Sequence, residues 1–184
     1  MKQFYVYTTM VLMTMAVITS CEPIEELEDW EDRQEARTLD GTWTGSIKTY
    51  YYDRWGLTGN NYRTTMYFER ETPYSGWGYE VDYDTRSRYS DYYYCEFRWE
   101  VFNGVIRLRY ADSWNDVFIS DYSLSDYYFD GYMDDGTNAD IMFRLSYDSR
   151  FDWGYWRNRN YTRGSNDGPS CMASGQFAGA EVQN

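Results

Sequence analysis

The chain has 184 residues, with 17 Lys and Arg against 30 Asp and Glu, a formal charge of −13, and 21% aromatic residues that include 22 Tyr. It contains no His, which excludes His-based triads, His metal sites and His proton relays. The acidity argues against nucleic acid and anionic lipid head groups as partners. Aromatics at this level do not make a disordered chain, and one globular domain is expected at this length.

Residues 1–20 read as a lipoprotein signal peptide. Lys2 gives a positive start, and Phe4 to Ile18 is a mostly apolar stretch of 15 residues. A membrane-spanning helix needs about 20, whereas a secretory segment ends at small residues in this way. The run Ile18-Thr19-Ser20-Cys21 resembles the lipobox of bacterial lipoproteins. That resemblance implies cleavage before Cys21 and acylation, palmitate included, of the Cys21 thiol and its new amine.

Residues 21–40 read as an acidic tether. Seven acids fall between Glu22 and Asp32: Glu22, Glu25, Glu26, Glu28, Asp29, Glu31 and Asp32. Charges this dense repel and keep a chain extended. The stretch also resembles the export signal of surface lipoproteins in Bacteroidota-type bacteria. The resemblance implies an outer-membrane, lipid-anchored location, on the cell surface rather than the periplasmic face.

Residues 41–162 read as one β domain. From Gly41 to Tyr147 the side chains alternate with period two and are rich in the residues that suit a pleated, half-buried surface. Strands are expected at Thr42–Tyr51, Tyr62–Arg70 and Trp77–Tyr83, the last aligning Trp77, Tyr79, Val81 and Tyr83. The clearest element is a hairpin of 92–102 and 105–111 across Asn103-Gly104, a pair suited to a type I′ turn. A two-residue turn fixes the register and pairs Phe97 with Tyr110, Trp99 with Leu108 and Glu100 with Arg107. One face then holds Cys95, Phe97, Trp99, Val101, Ile106, Leu108 and Tyr110. On the other, Arg98 opposes Arg109, a cost that acids such as Glu96 would relieve. Val117–Leu124 changes phase and calls for a bulge. Tyr127–Met133 and Ile141–Tyr147 complete eight strands. Short connections favour an all-β, eight-stranded antiparallel up-and-down barrel, with a two-sheet sandwich as the alternative.

Gly41-Thr42-Trp43-Thr44-Gly45 resembles the opening strand of lipocalin-like domains. The order of the 76–83, 97–110 and 121–131 segments resembles lipocalin-like lipoproteins of Bacteroidota. The resemblance spans about residues 40–150 and implies a calycin-type barrel in the cell envelope; it implies no activity. Residues 148–162 hold Trp153 and Trp156 and are expected to cap the barrel or lie along its wall, and residues 163–184 read as a disordered tail.

Few residues suggest chemistry. Cys95 reads as a buried thiol, with a bridge to Cys171 as the alternative in an oxidising envelope. Asp134, Asp135, Asn138 and Asp140 gather oxygens in one loop that could hold Ca²⁺, yet they lack EF-hand spacing and read better as a turn. Trp43, Trp77, Tyr79, Trp153 and Trp156 are candidates for stacking on a ligand. Consecutive tyrosines such as Tyr92–Tyr94 must point to both faces of a strand, so some lie on the outer wall. No cofactor is expected. The function expected is that of a non-enzymatic binding module for a small molecule or glycan. An accessory envelope protein working through protein contacts is the alternative, and a carboxylate-dependent hydrolase the third. Interior volume discriminates: an open cavity for the first, a filled barrel for the second, two convergent carboxyls in a cleft for the third.

Overall fold

The alternation carries through into a closed sheet. A computed structural model describes residues 24–85, 92–111 and 116–154. Helix α1 (Ile24–Leu39) precedes β1 (Gly41–Asp53), β2 (Gly56–Arg70), β3 (Ser75–Asp84), β4 (Tyr92–Phe102), β5 (Val105–Tyr110), β6 (Val117–Leu124), β7 (Tyr128–Asp134) and β8 (Asp140–Tyr147). Each strand pairs antiparallel with the next, and β8 returns to β1 from Trp43↔Tyr147 to Tyr50↔Asp140. The eight strands therefore form one up-and-down barrel and no sandwich. Residues 1–23, the signal peptide and Cys21 among them, lie outside the described residues, as do Trp156, Cys171 and the 163–184 tail.

The Asn103-Gly104 hairpin has the predicted register in all six pairs from Phe97↔Tyr110 to Phe102↔Val105. Asn103 (φ 52°) and Gly104 (φ 67°) supply the two left-handed residues that a type I′ turn needs. Arg107 meets Glu100 at 2.5 Å. Arg98 and Arg109 stand opposite each other but turn apart, Arg98 to Glu71 at 2.5 Å and Arg109 to Asp116 through two hydrogen bonds of 3.0 and 3.1 Å. Relief thus comes from Glu71 and Asp116, not Glu96. The β6–β7 register shifts between Phe118 and Asp121, where the bulge was expected.

The barrel interior is packed with large side chains. Trp43, Phe68, Phe129, Phe143, Ile47 and Met66 are all wholly buried. The rings interlock edge to face, as in Phe129 against Phe143 at 4.6 Å between centroids and Phe68 against Phe97 at 5.2 Å. Gly78 makes room for this: a Cβ there would lie 2.5 Å from the Phe97 ring and 2.1 Å from the Tyr67 carbonyl oxygen.

The acidic segment is not an extended tether. Ile24–Leu39 is a helix lying over one end of the barrel, so this part of the 21–40 stretch belongs to the folded domain. Repulsion between its acids is offset in two ways. Acids cluster in its first half, where the helix dipole favours them, with Arg33 and Arg37 in the second. Several acids also find donors on the barrel. Buried Asp32 accepts hydrogen bonds from the Asn103 and Gly104 N–H groups at 2.8 and 2.9 Å. Glu35 accepts from the Tyr122 hydroxyl at 2.6 Å, and Asp29 accepts from both Tyr74 and Arg33. Ala36 and Leu39 complete the seal, both fully buried. Gly41 (φ 136°) then turns the chain from helix into β1. Among the described residues no helix is long and apolar enough to cross a membrane.

Candidate functional site

Among the described residues, three regions carry chemistry: the inward face of β3, the outer aromatic wall, and the β1–β2 tip.

The inward residues of β3 are Gly76, Gly78, Glu80 and Asp82, not the aromatic set Trp77, Tyr79, Val81 and Tyr83. The register fixes this, since Gly78 pairs with inward Phe68 and Phe97, and Glu80 with inward Met66 and Cys95. Glu80 and Asp82 are both 0% exposed. Asp82 accepts a 2.5 Å hydrogen bond from Thr64 Oγ1, and Glu80 accepts one from the Tyr110 hydroxyl. Burial, then the Glu80 charge beside it, pushes the Tyr110 hydroxyl well above its ordinary pKa. Two residues apart on one strand, their backbones are about 7 Å apart, so the two carboxyls are neighbours on one face. They lie inside the barrel, however, and not in a cleft.

Cys95 shares this inward face, is 7% exposed and is disulfide-bonded, so it is not the buried thiol expected. Its partner lies outside the described residues.

Trp77 and Tyr79 lie on the outer wall, with ring centroids 4.8 Å apart and edge to face. Trp153 packs over Tyr67 and Tyr79 at 5.5 and 5.9 Å and donates to Thr42 Oγ1 at 2.9 Å. Residues 151–153 therefore lie along the wall. Beside this cluster, Trp77, Tyr79, Arg98 and Arg109 line a shallow groove of about 540 Å³. A second groove, of about 590 Å³, runs between α1 and the strand ends past Asp29, Tyr74 and Phe102. Both are outside the barrel. Trp43 is no stacking platform: it is buried under α1, against Phe129 and Tyr147, and its Nε1 donates to the Leu39 carbonyl at 2.8 Å.

The consecutive tyrosines split as expected. Tyr93 packs on the main core, while Tyr92 and Tyr94 join the outer cluster.

Of the four candidate Ca²⁺ ligands, Asp134 and Asp135 act as turn formers, and Asp140 begins β8. Asp134 Oδ1 accepts from the Gly136 N–H at 2.8 Å, and Asp135 Oδ1 accepts from both the N–H and the hydroxyl of Thr137. Among the described residues no group of three or more His, Cys, Asp or Glu is placed to hold a metal ion.

The β1–β2 hairpin was missed by sequence reading beyond Tyr51. Its ladder continues from Tyr51↔Thr58 to Asp53↔Gly56, past the last β1–β8 pair at Tyr50↔Asp140. The result is an arm at the end opposite α1. It shows Tyr52 (82% exposed), Trp55 (83%) and Leu57 (62%), with the Arg54 guanidinium 5.1 Å from the Trp55 ring centroid. The run Tyr50-Tyr51-Tyr52, with a Gly after the turn, was the available signal.

No family model matches the chain, and no curated protein matches it. Among solved structures it is similar to a redesigned β-barrel, with a TM-score of 0.37 and 18% identity over 62% of this chain and 95% of that one.

Proposed function

We propose that this protein is a lipid-anchored envelope lipoprotein of the lipocalin-like kind, non-enzymatic, whose barrel is a rigid scaffold acting through protein contacts on its outside. One observation carries the choice: aromatic side chains fill the interior and α1 covers one end. A filled barrel favours contact over containment. The arm with Tyr52, Trp55 and Leu57 is the proposed contact surface, because exposed aromatics clustered on a rigid element make effective anchors for a partner. Acylated Cys21 supplies the membrane attachment, and the outer face of the outer membrane is the proposed location. The glycan reading keeps one support, the exposed rings of Tyr52 and Trp55, on which a sugar could stack.

The test has two parts. Cys21→Ala should abolish acyl labelling and release the protein from membranes; unchanged labelling would overturn the anchor. A photo-crosslinking residue at position 55 should give a discrete protein adduct on intact cells, and one at Ser120, on exposed β6 across the barrel from the arm, should not. Equal adducts at both positions, or none at 55, would overturn the contact surface. Loss of the adduct on adding soluble envelope oligosaccharide would favour the glycan reading.

A further inference from the structure

We infer that the partner of the arm is a second copy of this chain: the Arg54-Trp55 tip of one copy seats in the groove between α1 and the strand ends of the other. This contact rests on the reading of the arm as an interaction surface and names its occupant.

Charge selects the pairing. The chain carries −13 overall, so two copies repel unless surfaces of opposite sign meet. Residues 41–68, which span the β1–β2 hairpin, hold Lys48, Arg54 and Arg63 against Asp53 alone, a net +2. α1 holds seven acids against Arg33 and Arg37, a net −5. The arm and α1 lie at opposite ends of the barrel, so each end of one copy suits the other end of the next.

The reach of the arm keeps the signs apart. Residues 51–53 carry β1 about 10 Å past the last β1–β8 pair, Tyr50↔Asp140. That is about one Debye length at 0.1 M salt, so Arg54 stands clear of Asp140 at the rim. Among the described residues Arg54 makes no ion pair. Its guanidinium lies 5.1 Å from the Trp55 ring centroid, so cation and ring enter a site as one unit.

The groove complements both parts. Its volume is about 590 Å³, within the range of sites that take a compact ligand. Phe102 lines it and is 68% exposed, a cost that a covering aromatic ring would remove. Asp29 and Glu100 line it as well. Asp29 is bonded to Arg33 and Tyr74, and Glu100 to Arg107, yet both side chains remain nearly half exposed. A carboxylate has about four acceptor sites, so each keeps room for a second guanidinium. In the docked pair Trp55 covers Phe102, and Arg54 reaches the carboxylates beside it. Tip and groove are different surfaces, so the contact is heterologous.

The experiment uses the full chain extracted from membranes in mild detergent, which lets copies meet in any orientation. One tagged form carries a photo-crosslinking residue in place of Leu57, leaving the Arg54-Trp55 tip intact. The second form carries a different tag and no crosslinker. Irradiation should give an adduct of two chains that holds both tags. Trypsin should leave peptide 55–63 joined to peptide 71–86 or 99–107, which contain Tyr74 and Phe102. Arg54→Glu in the first form and Phe102→Asp in the second should each lower the adduct more than tenfold. Both positions are exposed, so urea midpoints should stay unchanged; if a variant misfolds, the map of the unchanged pair decides alone. A mixed adduct joined elsewhere, or one that neither substitution lowers, would overturn the contact. An adduct to a different protein only would overturn it too and leave the arm standing as an interaction surface. No adduct at position 57 here or at 55 on intact cells would remove both.

Discussion

Removing the Asp32 carboxylate should loosen α1 from the barrel. Asp32 is 6% exposed and accepts from two consecutive turn amides, those of Asn103 and Gly104, at 2.8 and 2.9 Å. Hydrogen bonds to a charged acceptor contribute about 1.5–3 kcal/mol each. Both donors sit in an exposed turn, where water takes over in Asp32→Ala, so the lower part of that range applies and the total is about 3–4 kcal/mol. With a urea slope of roughly 2 kcal/mol/M, the midpoint should fall by about 1.5–2 M. Glu31→Ala is the matched control: its side chain is exposed, and the change should stay within about 0.5 kcal/mol. Both variants are made in the chain from residue 22 onward and unfolded in urea, with amide hydrogen exchange followed at residues 103 and 104. Those two amides should lose protection in Asp32→Ala only. Equal midpoints for the two variants, with protection unchanged, would refute the docking of α1 and restore the segment to a spacer.

Trp99 is 2% exposed and packs against Phe68, whereas the Arg98 side chain is 66% exposed and paired with Glu71. Trp99→Ala should therefore cost about 3–5 kcal/mol by urea midpoint, and Arg98→Ala less than about 1; the reverse order would refute the face assignment. Tyr110 and Tyr122 are both held above the ordinary tyrosine value, each chiefly by burial and then by a neighbouring carboxylate, Glu80 and Glu35 respectively. The unfolded chain gives up these protons first, near pH 10, so their contribution is full below that pH and is lost as pH rises above it toward the folded values. Urea midpoints should fall steeply above about pH 10, and Tyr122→Phe should flatten the slope; a midpoint independent of pH up to about 11 would contradict this.

The hairpin was legible because two local rules agreed on it, an Asn-Gly turn that fixes register and a face that sorts apolar from charged. The β6 bulge was legible as a break in phase. What local sequence left open or misread, a distant contact decided. The aromatic face of β3 is the outer one because Trp153, seventy-odd residues on, covers Tyr79, and because Thr64 and Tyr110 from other strands give Asp82 and Glu80 their donors. The acidic helix looked like a spacer because repulsion within a segment is visible in sequence, while backbone N–H donors on the Asn103–Gly104 turn are not. The Asp29–Arg33 ion pair, four residues apart, and the Asp32, Ala36, Leu39 stripe were the helical signals present. Residues 52–61, with two Gly and two Asn, lack alternation because at the arm no core selects one face.

β1 runs from one end of the barrel to the other: it begins beside α1 and ends at the arm. Under the proposed anchor at Cys21 and the proposed partner contact at Trp55, tension would run along the axis of β1. The hydrogen bonds of an antiparallel ladder lie perpendicular to the strands. Because both load points lie at the ends of β1, the backbone of that one extended strand would carry the load, and its ladders to β2 and β8 would hold the strand in place without being sheared. α1 would peel away first, and the barrel behind it would resist as a unit.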